Sequence, residues 1–153
     1  MKKAIWLLSL LFVMGVLFSQ TPPPSYFHRY DGIKAVLDSV KAIAPNHVRI
    51  DSIGYSQVEH TPIWAIKLSN NAATDRDVPR VLFIGEIHSE EIMGQEIILS
   101  NIKEIIQRRN IQPYLNWLNN LEIWFVPCMN PDGLAVVMSG VDETYRKNTR
   151  DTD

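Results

Sequence analysis

Apolar residues recur at Ile33, Val36, Leu37, Val40 and Ile43, with Lys34, Asp38 and Lys41 between them. This three-and-four spacing predicts an amphipathic helix over 30–44, stopped by Pro45 and Asn46. Two β-rich runs follow at 48–55 and 62–68, joined by a polar segment, and predict an antiparallel hairpin. Beyond a polar loop at 69–77, residues 80–84 form an apolar run without alternation, the pattern of a central strand covered on both faces. Residues 92–109 predict a long helix that buries Ile98, Leu99, Ile102, Ile105 and Ile106 and turns Glu96, Lys103, Glu104, Gln107 and Arg108 to water. Ser89 is its expected N-cap, with Glu90 and Glu91 in its first turn. A loop or short helix at 110–120 leads to a further apolar strand at 121–126. Strand, helix and strand at this spacing make a βαβ unit, so the two apolar strands should be parallel neighbours. The fold class expected is α/β, a mixed and mainly parallel central sheet flanked by helices.

The 153 residues suffice for one domain with a core, and 46% hydrophobic with 21% charged residues is a globular balance. Net charge is −2 without a basic run, which excludes nucleic acid as a partner. A monomer is expected. Lys2 and Lys3 precede an apolar segment at 4–18 that polar residues and Pro22, Pro23 and Pro24 terminate. That is the layout of a secretory signal peptide over 1–20, followed by a linker at 21–29 and one domain over 30–153. The apolar segment is shorter than the roughly 20 residues needed to cross a bilayer, so no stable membrane anchor is expected once the leader is removed. The expected location is secreted or periplasmic. Cys128 is the single cysteine, so no internal disulfide forms, and a buried, inert thiol is expected.

The chemistry gathers where the run Val81-Leu82-Phe83-Ile84 stops at Gly85 and His88 and Glu91 follow at i and i+3. A turn from strand to helix lets both side chains face one crevice, His88 offering a neutral nitrogen and Glu91 one or two oxygens, donors that zinc accepts. Taken bare, the pair is a weak signal that surface charge also produces. Its position is informative, because ligand sites of open α/β sheets form beyond the carboxyl ends of the strands. Asn130-Pro131-Asp132-Gly133 follows the second strand and reads as a turn in which Pro131 fixes φ and Gly133 supplies an unusual backbone angle. Tyr145-Arg146-Lys147-Asn148-Thr149-Arg150 brings two arginines to the same region, where guanidinium groups could hold a carboxylate or a developing oxyanion. His47 and His60 fall at turn positions and read as solvated. His28 follows the linker.

Three pieces in this order, the strand ending at Gly85 with His88 and Glu91, the Asn130-Pro131-Asp132-Gly133 segment, and Arg146-Lys147-Asn148, resemble the zinc carboxypeptidases of the A and B type. The resemblance covers residues 30–153. It implies a metallocarboxypeptidase that hydrolyses C-terminal peptide bonds of peptide or protein substrates with a metal-activated water, His88 and Glu91 being two of the ligands of a Zn2+ cofactor. It also implies an oxyanion-stabilising arginine, assigned to Arg150 with Arg146 as the second candidate, since Thr149 stands where the pattern has an arginine. Glu90 departs from the pattern too, standing where many members carry an arginine. The third ligand, the grip on the substrate carboxylate and the general base are expected downstream of Asp153. The chain therefore reads as the N-terminal part of such an enzyme, with weak metal binding and no turnover expected of these residues alone. Two other readings share the pattern: a zinc-dependent amino-acid deacylase or peptidoglycan-peptide hydrolase of related fold, and a non-catalytic binding module on the same fold.

Overall fold

The computed structural model describes residues 22–150. The leader read at 1–20 lies outside them. Helix α1 (Tyr30–Ile43) leads into the strands β1 (Val48–Tyr55) and β2 (Pro62–Leu68), and then come β3 (Arg80–Ile84), α2 (Ile92–Gln107), α3 (Tyr114–Asn120), β4 (Glu122–Val126) and α4 (Pro131–Ser139). The strands form one mixed sheet in the order β1-β2-β4-β3. β1 pairs antiparallel with β2 as the expected hairpin, β2 pairs antiparallel with β4, and β3 runs parallel to β4 from Arg80 opposite Glu122 to Ile84 opposite Val126. The predicted βαβ unit is thus present, with α2 and α3 between its strands.

Alternation along the strands separates two environments. Ile66, Leu68, Ile123 and Phe125 belong to the core, where α1 contributes Ile33, Val36, Leu37 and Val40, α2 contributes Ile98, Leu99, Ile102, Ile105 and Ile106, and α4 contributes Leu134 and Met138. These are the helical stripes that the three-and-four spacing selects, and their burial supplies the main apolar driving force. The residues between them in β2 and β4, Lys67, Glu122 and Trp124, carry polar chemistry. Lys67 is wholly buried; its Nζ donates to the Thr74 carbonyl at 2.7 Å, to Asp75 at 3.0 Å and to Glu122 at 3.1 Å. Glu122, also wholly buried, further accepts from the Arg76 backbone at 2.8 Å and from Arg80 Nε at 2.8 Å.

Three expectations are corrected. β3 is not a covered central strand among the described residues: it is the sheet's edge, and Val81, Leu82, Phe83 and Ile84 are all exposed. Its continuous apolar run is the composition of a doubly covered strand, but only β4 pairs with it here. Asn130 to Gly133 is not a free-standing turn but the start of α4: the Asn130 side chain caps it by accepting from Gly133 N at 3.1 Å, and Pro131 fills the first turn, where no N–H is needed. Ser89 does not cap α2; Glu91 holds that position without a side-chain cap, because the Ser89 hydroxyl is engaged elsewhere.

Buried ion pairs are costly to break from one side, because the partner is left charged and dry. Glu122→Ala should therefore lower the unfolding free energy by about 3 kcal/mol, measured by urea denaturation at pH 7. Burial disfavours the charged Glu122, but the Arg76 N–H, Arg80 and Lys67 outweigh it and hold its carboxyl below the usual glutamate value of 4.5. Its stabilising contribution is thus complete above that value and is lost as pH falls through the lower folded value. The wild-type chain should lose stability in acid more steeply than Glu122→Ala does.

Candidate metal centre

β3 ends where the chain must pass very close to its neighbour. A Cβ on Gly85 would stand 2.7 Å from the Pro127 carbonyl oxygen and 2.9 Å from Ile98 Cδ1, so only glycine fits. The backbone of Gly85 extends the parallel pairing beyond both strands, with Gly85 N donating to Val126 O at 2.9 Å and Met129 N donating to Gly85 O at 3.3 Å. Glu86 then takes a left-handed conformation, φ 46°, that a glutamate seldom adopts. The chain next turns through Glu91 N to His88 O and enters α2, whose first turn is closed by Gly94 N to Glu91 O, both at 3.0 Å.

On this turn His88 Nδ1 lies 3.3 Å from Glu91 Oε1. Both side chains are exposed and border an open hollow with Ile84, Gly85, Glu86 and Met93. Two ligands of a tetrahedral zinc, each about 2.0–2.2 Å from the ion, are about 3.3–3.6 Å apart. The His88 and Glu91 donor atoms therefore have the separation and the N and O chemistry that two positions of a zinc site require. Among the described residues, no group of three or more histidine, cysteine, aspartate or glutamate side chains gathers at one point.

Arg146 completes the surroundings of the pair. Its Nη1 is 2.5 Å from Glu90 Oε1 and 3.4 Å from Glu91 Oε1, and its Nη2 is 3.2 Å from His88 Nε2. Desolvation works against a charge on Glu90, but its own backbone N–H and the Arg146 guanidinium outweigh that and hold the carboxyl below its usual range. Arg150, the other candidate arginine, borders a different hollow with Tyr55, Asn130, Asp132 and Asn148. The structure thus brings His88, Glu91 and Arg146 together and sets Arg150 beside Asp132.

The loop carrying both arginines is fastened by Ser89. Its hydroxyl donates to the carbonyls of Tyr145 at 2.7 Å and Lys147 at 3.3 Å, and Asn130 Nδ2 reaches the same Lys147 carbonyl at 3.0 Å. Gly133 matters here for space and not for backbone angle: a Cβ would stand 2.5 Å from Ser89 Oγ and 2.6 Å from Asn130 Nδ2. Sequence reasoning misses this knot because its members are local capping residues by type, and only the crossing of three loops makes them partners. It also misses Glu86. Glu86 is 3% exposed, no N–H or O–H donates to either carboxylate oxygen, and the weakly donating Cys128 thiol is its polar neighbour. Burial pushes its pKa up to about 8, the thiol lowering it only in part. Cys128 is buried as expected, and burial followed by the nearby Glu86 raises its thiol well above the usual range, which makes it inert.

Residues 33–153 match the zinc carboxypeptidase family. A zinc carboxypeptidase of Saccharothrix mutabilis subsp. capreolus is 32% identical over 134 residues, 85% of this chain and 31% of that protein. The catalytic chain of human carboxypeptidase N is 29% identical over 134 residues, 85% of this chain and 29% of that protein. The chain thus spans about a third of the length of these curated relatives. In fold it is similar to the carboxypeptidase A of Helicoverpa armigera, with TM-score 0.72 and 23% identity over 99% of this chain and 37% of that one.

A folded-state pKa near 8 for Glu86, against 4.5 when unfolded, means that the folded chain holds a proton which the unfolded chain has released. The contribution of Glu86 to the stability of the folded chain is therefore greatest below 4.5 and is lost as pH rises through about 8. Glu86→Gln should remove this decline and make the variant more stable than wild type at pH 9. Urea denaturation at pH 5, 7 and 9 gives the comparison, and parallel slopes for the two proteins would contradict it.

Proposed function

Because the chain belongs to the zinc carboxypeptidase family, we propose that it supplies two zinc ligands, His88 and Glu91, to a metallocarboxypeptidase that hydrolyses C-terminal peptide bonds of peptide substrates. The observation that carries this reading is the 3.3 Å separation of His88 Nδ1 and Glu91 Oε1 on a turn at the carboxyl end of a parallel strand. A zinc ion bound there supplies polarisation of the scissile carbonyl and a water acidic enough to ionise near neutral pH. His88 contributes a neutral nitrogen and Glu91 a charge that offsets the cation. Arg146, beside the pair, and Arg150, on the same loop but bordering the neighbouring hollow, offer planar N–H pairs to a carboxylate or a developing oxyanion, the geometry in which guanidinium groups bind oxygen anions best.

The reading includes the chain's organisation: a leader over 1–20, a linker over 21–29, and the first part of the catalytic domain over 30–153, acting as a monomer outside the cytoplasm. No helix among the described residues is long and apolar enough to cross a membrane. Catalysis is assigned to the protein at its full natural length, with the general base and the remaining ligand contributed by residues other than those described.

In that protein, a chelator should abolish hydrolysis of an N-terminally blocked chromogenic dipeptide with a free C-terminal carboxylate, and added zinc should restore it. His88→Ala and Glu91→Ala should each lower kcat/KM by more than the roughly 10–100-fold loss typical of residues that merely support a ligand. Full activity in either variant would refute the ligand assignment. Zinc uptake without hydrolysis of any peptide would favour a binding module.

A further inference from the structure

Arginine carries donors only, so the 3.2 Å contact between Arg146 Nη2 and His88 Nε2 requires that Nε2 accept. The hydrogen of the neutral imidazole then resides on Nδ1, where it faces Glu91 Oε1 at 3.3 Å as donor to acceptor. A metal-bound imidazole needs the reverse on one side: the ligating nitrogen carries no hydrogen, and the other nitrogen becomes an N–H that must donate. Both routes meet Arg146. With a cation on Nδ1, the ring hydrogen moves to Nε2 and two N–H donors confront each other. With a cation on Nε2, the guanidinium occupies the position of the ion.

We infer that Arg146 and a divalent cation exclude one another on His88, so that the guanidinium caps the ligand pair until metal displaces it. This rests on the proposed role of His88 and Glu91 as metal ligands. The cap is held at two levels. The backbone of its loop is tied down by Ser89, through Tyr145 and Lys147, so the loop itself is not free to leave. The side chain is held by Glu90, whose Oε1 is 2.5 Å from Nη1, and by the weaker approach to Glu91. Metal arrival therefore requires only a side-chain rotation, and Arg146, about half exposed, has solvent to rotate into. The displaced guanidinium stays on the loop beside the cleft, within reach of Glu90.

The test uses the protein at its full natural length with 15N-labelled histidine, zinc as the probe, and the variants R146A and R146K. Without metal, long-range 1H–15N spectra of the wild type should show His88 with a protonated Nδ1 and a hydrogen-bonded, unprotonated Nε2. R146A should lose that Nε2 signature. Zinc affinity, measured by chelator competition, should rise about tenfold in R146A, the scale of removing one hydrogen bond to a charged group. It should rise similarly in R146K, which keeps the charge but cannot present the same planar fork. Tighter zinc in R146A alone would reduce the effect to charge and overturn the exclusion, as would equal affinity in all three. Zinc on none of them would refute the ligand assignment itself, and the exclusion with it.

Discussion

The approach of β3 to β4 at Gly85 is the constraint on which the carboxyl end of this sheet depends. With no side chain at that position, hydrogen bonding passes from the parallel strands into the segments beyond them, through Gly85 N to Val126 O and Met129 N to Gly85 O. The turn bearing His88 and Glu91 is thereby placed in register with the segment that begins α4. Ser89 and Asn130 draw in a third loop through the carbonyls of Tyr145 and Lys147. Two side chains 58 positions apart, His88 and Arg146, meet as a result of backbone geometry and not of any affinity between them alone.

The two ends of the sheet treat buried polarity in opposite ways. At the starts of β3 and β4, Glu122 is met by Lys67, Arg80 and the Arg76 backbone, so a buried charge is matched on every side. At the carboxyl ends, both oxygens of Glu86 and Oδ1 of Asp132 are buried with no N–H or O–H donor, Glu86 having only the Cys128 thiol beside it. Unmatched buried polar groups cost stability, and proteins retain them mainly where function is placed. The fold is thus anchored at one end, and the strain, the exposed donors and the His88–Glu91 pair collect at the other.

Most elements of the fold could be read from spacing alone, because the stripes of α1 and α2 and the β-rich runs of the hairpin are local patterns with one reading. The placement of His88 and Glu91 side by side at the carboxyl edge of the sheet was also accessible, since a glycine that ends an apolar strand marks that edge. What was hidden depended on contacts between distant segments. Asn130 reads as a turn residue until Gly133 is seen against Ser89, and Ser89 reads as a helix cap until Tyr145 takes its hydroxyl. Glu86 looks like one more acidic residue in Glu86-Ile87-His88-Ser89-Glu90-Glu91, and only its burial sets it apart. Between the two arginines, sequence register favoured Arg150, whereas the guanidinium that reaches His88 and Glu91 is that of Arg146.

The central claim is that His88 and Glu91 bind zinc, and zinc K-edge absorption of the purified full-length protein tests it most directly. The account predicts a shell of nitrogen and oxygen donors at about 2.0–2.2 Å, with an imidazole contribution that diminishes in His88→Ala. A protein without zinc, or a zinc shell that is unchanged by that substitution, would contradict it.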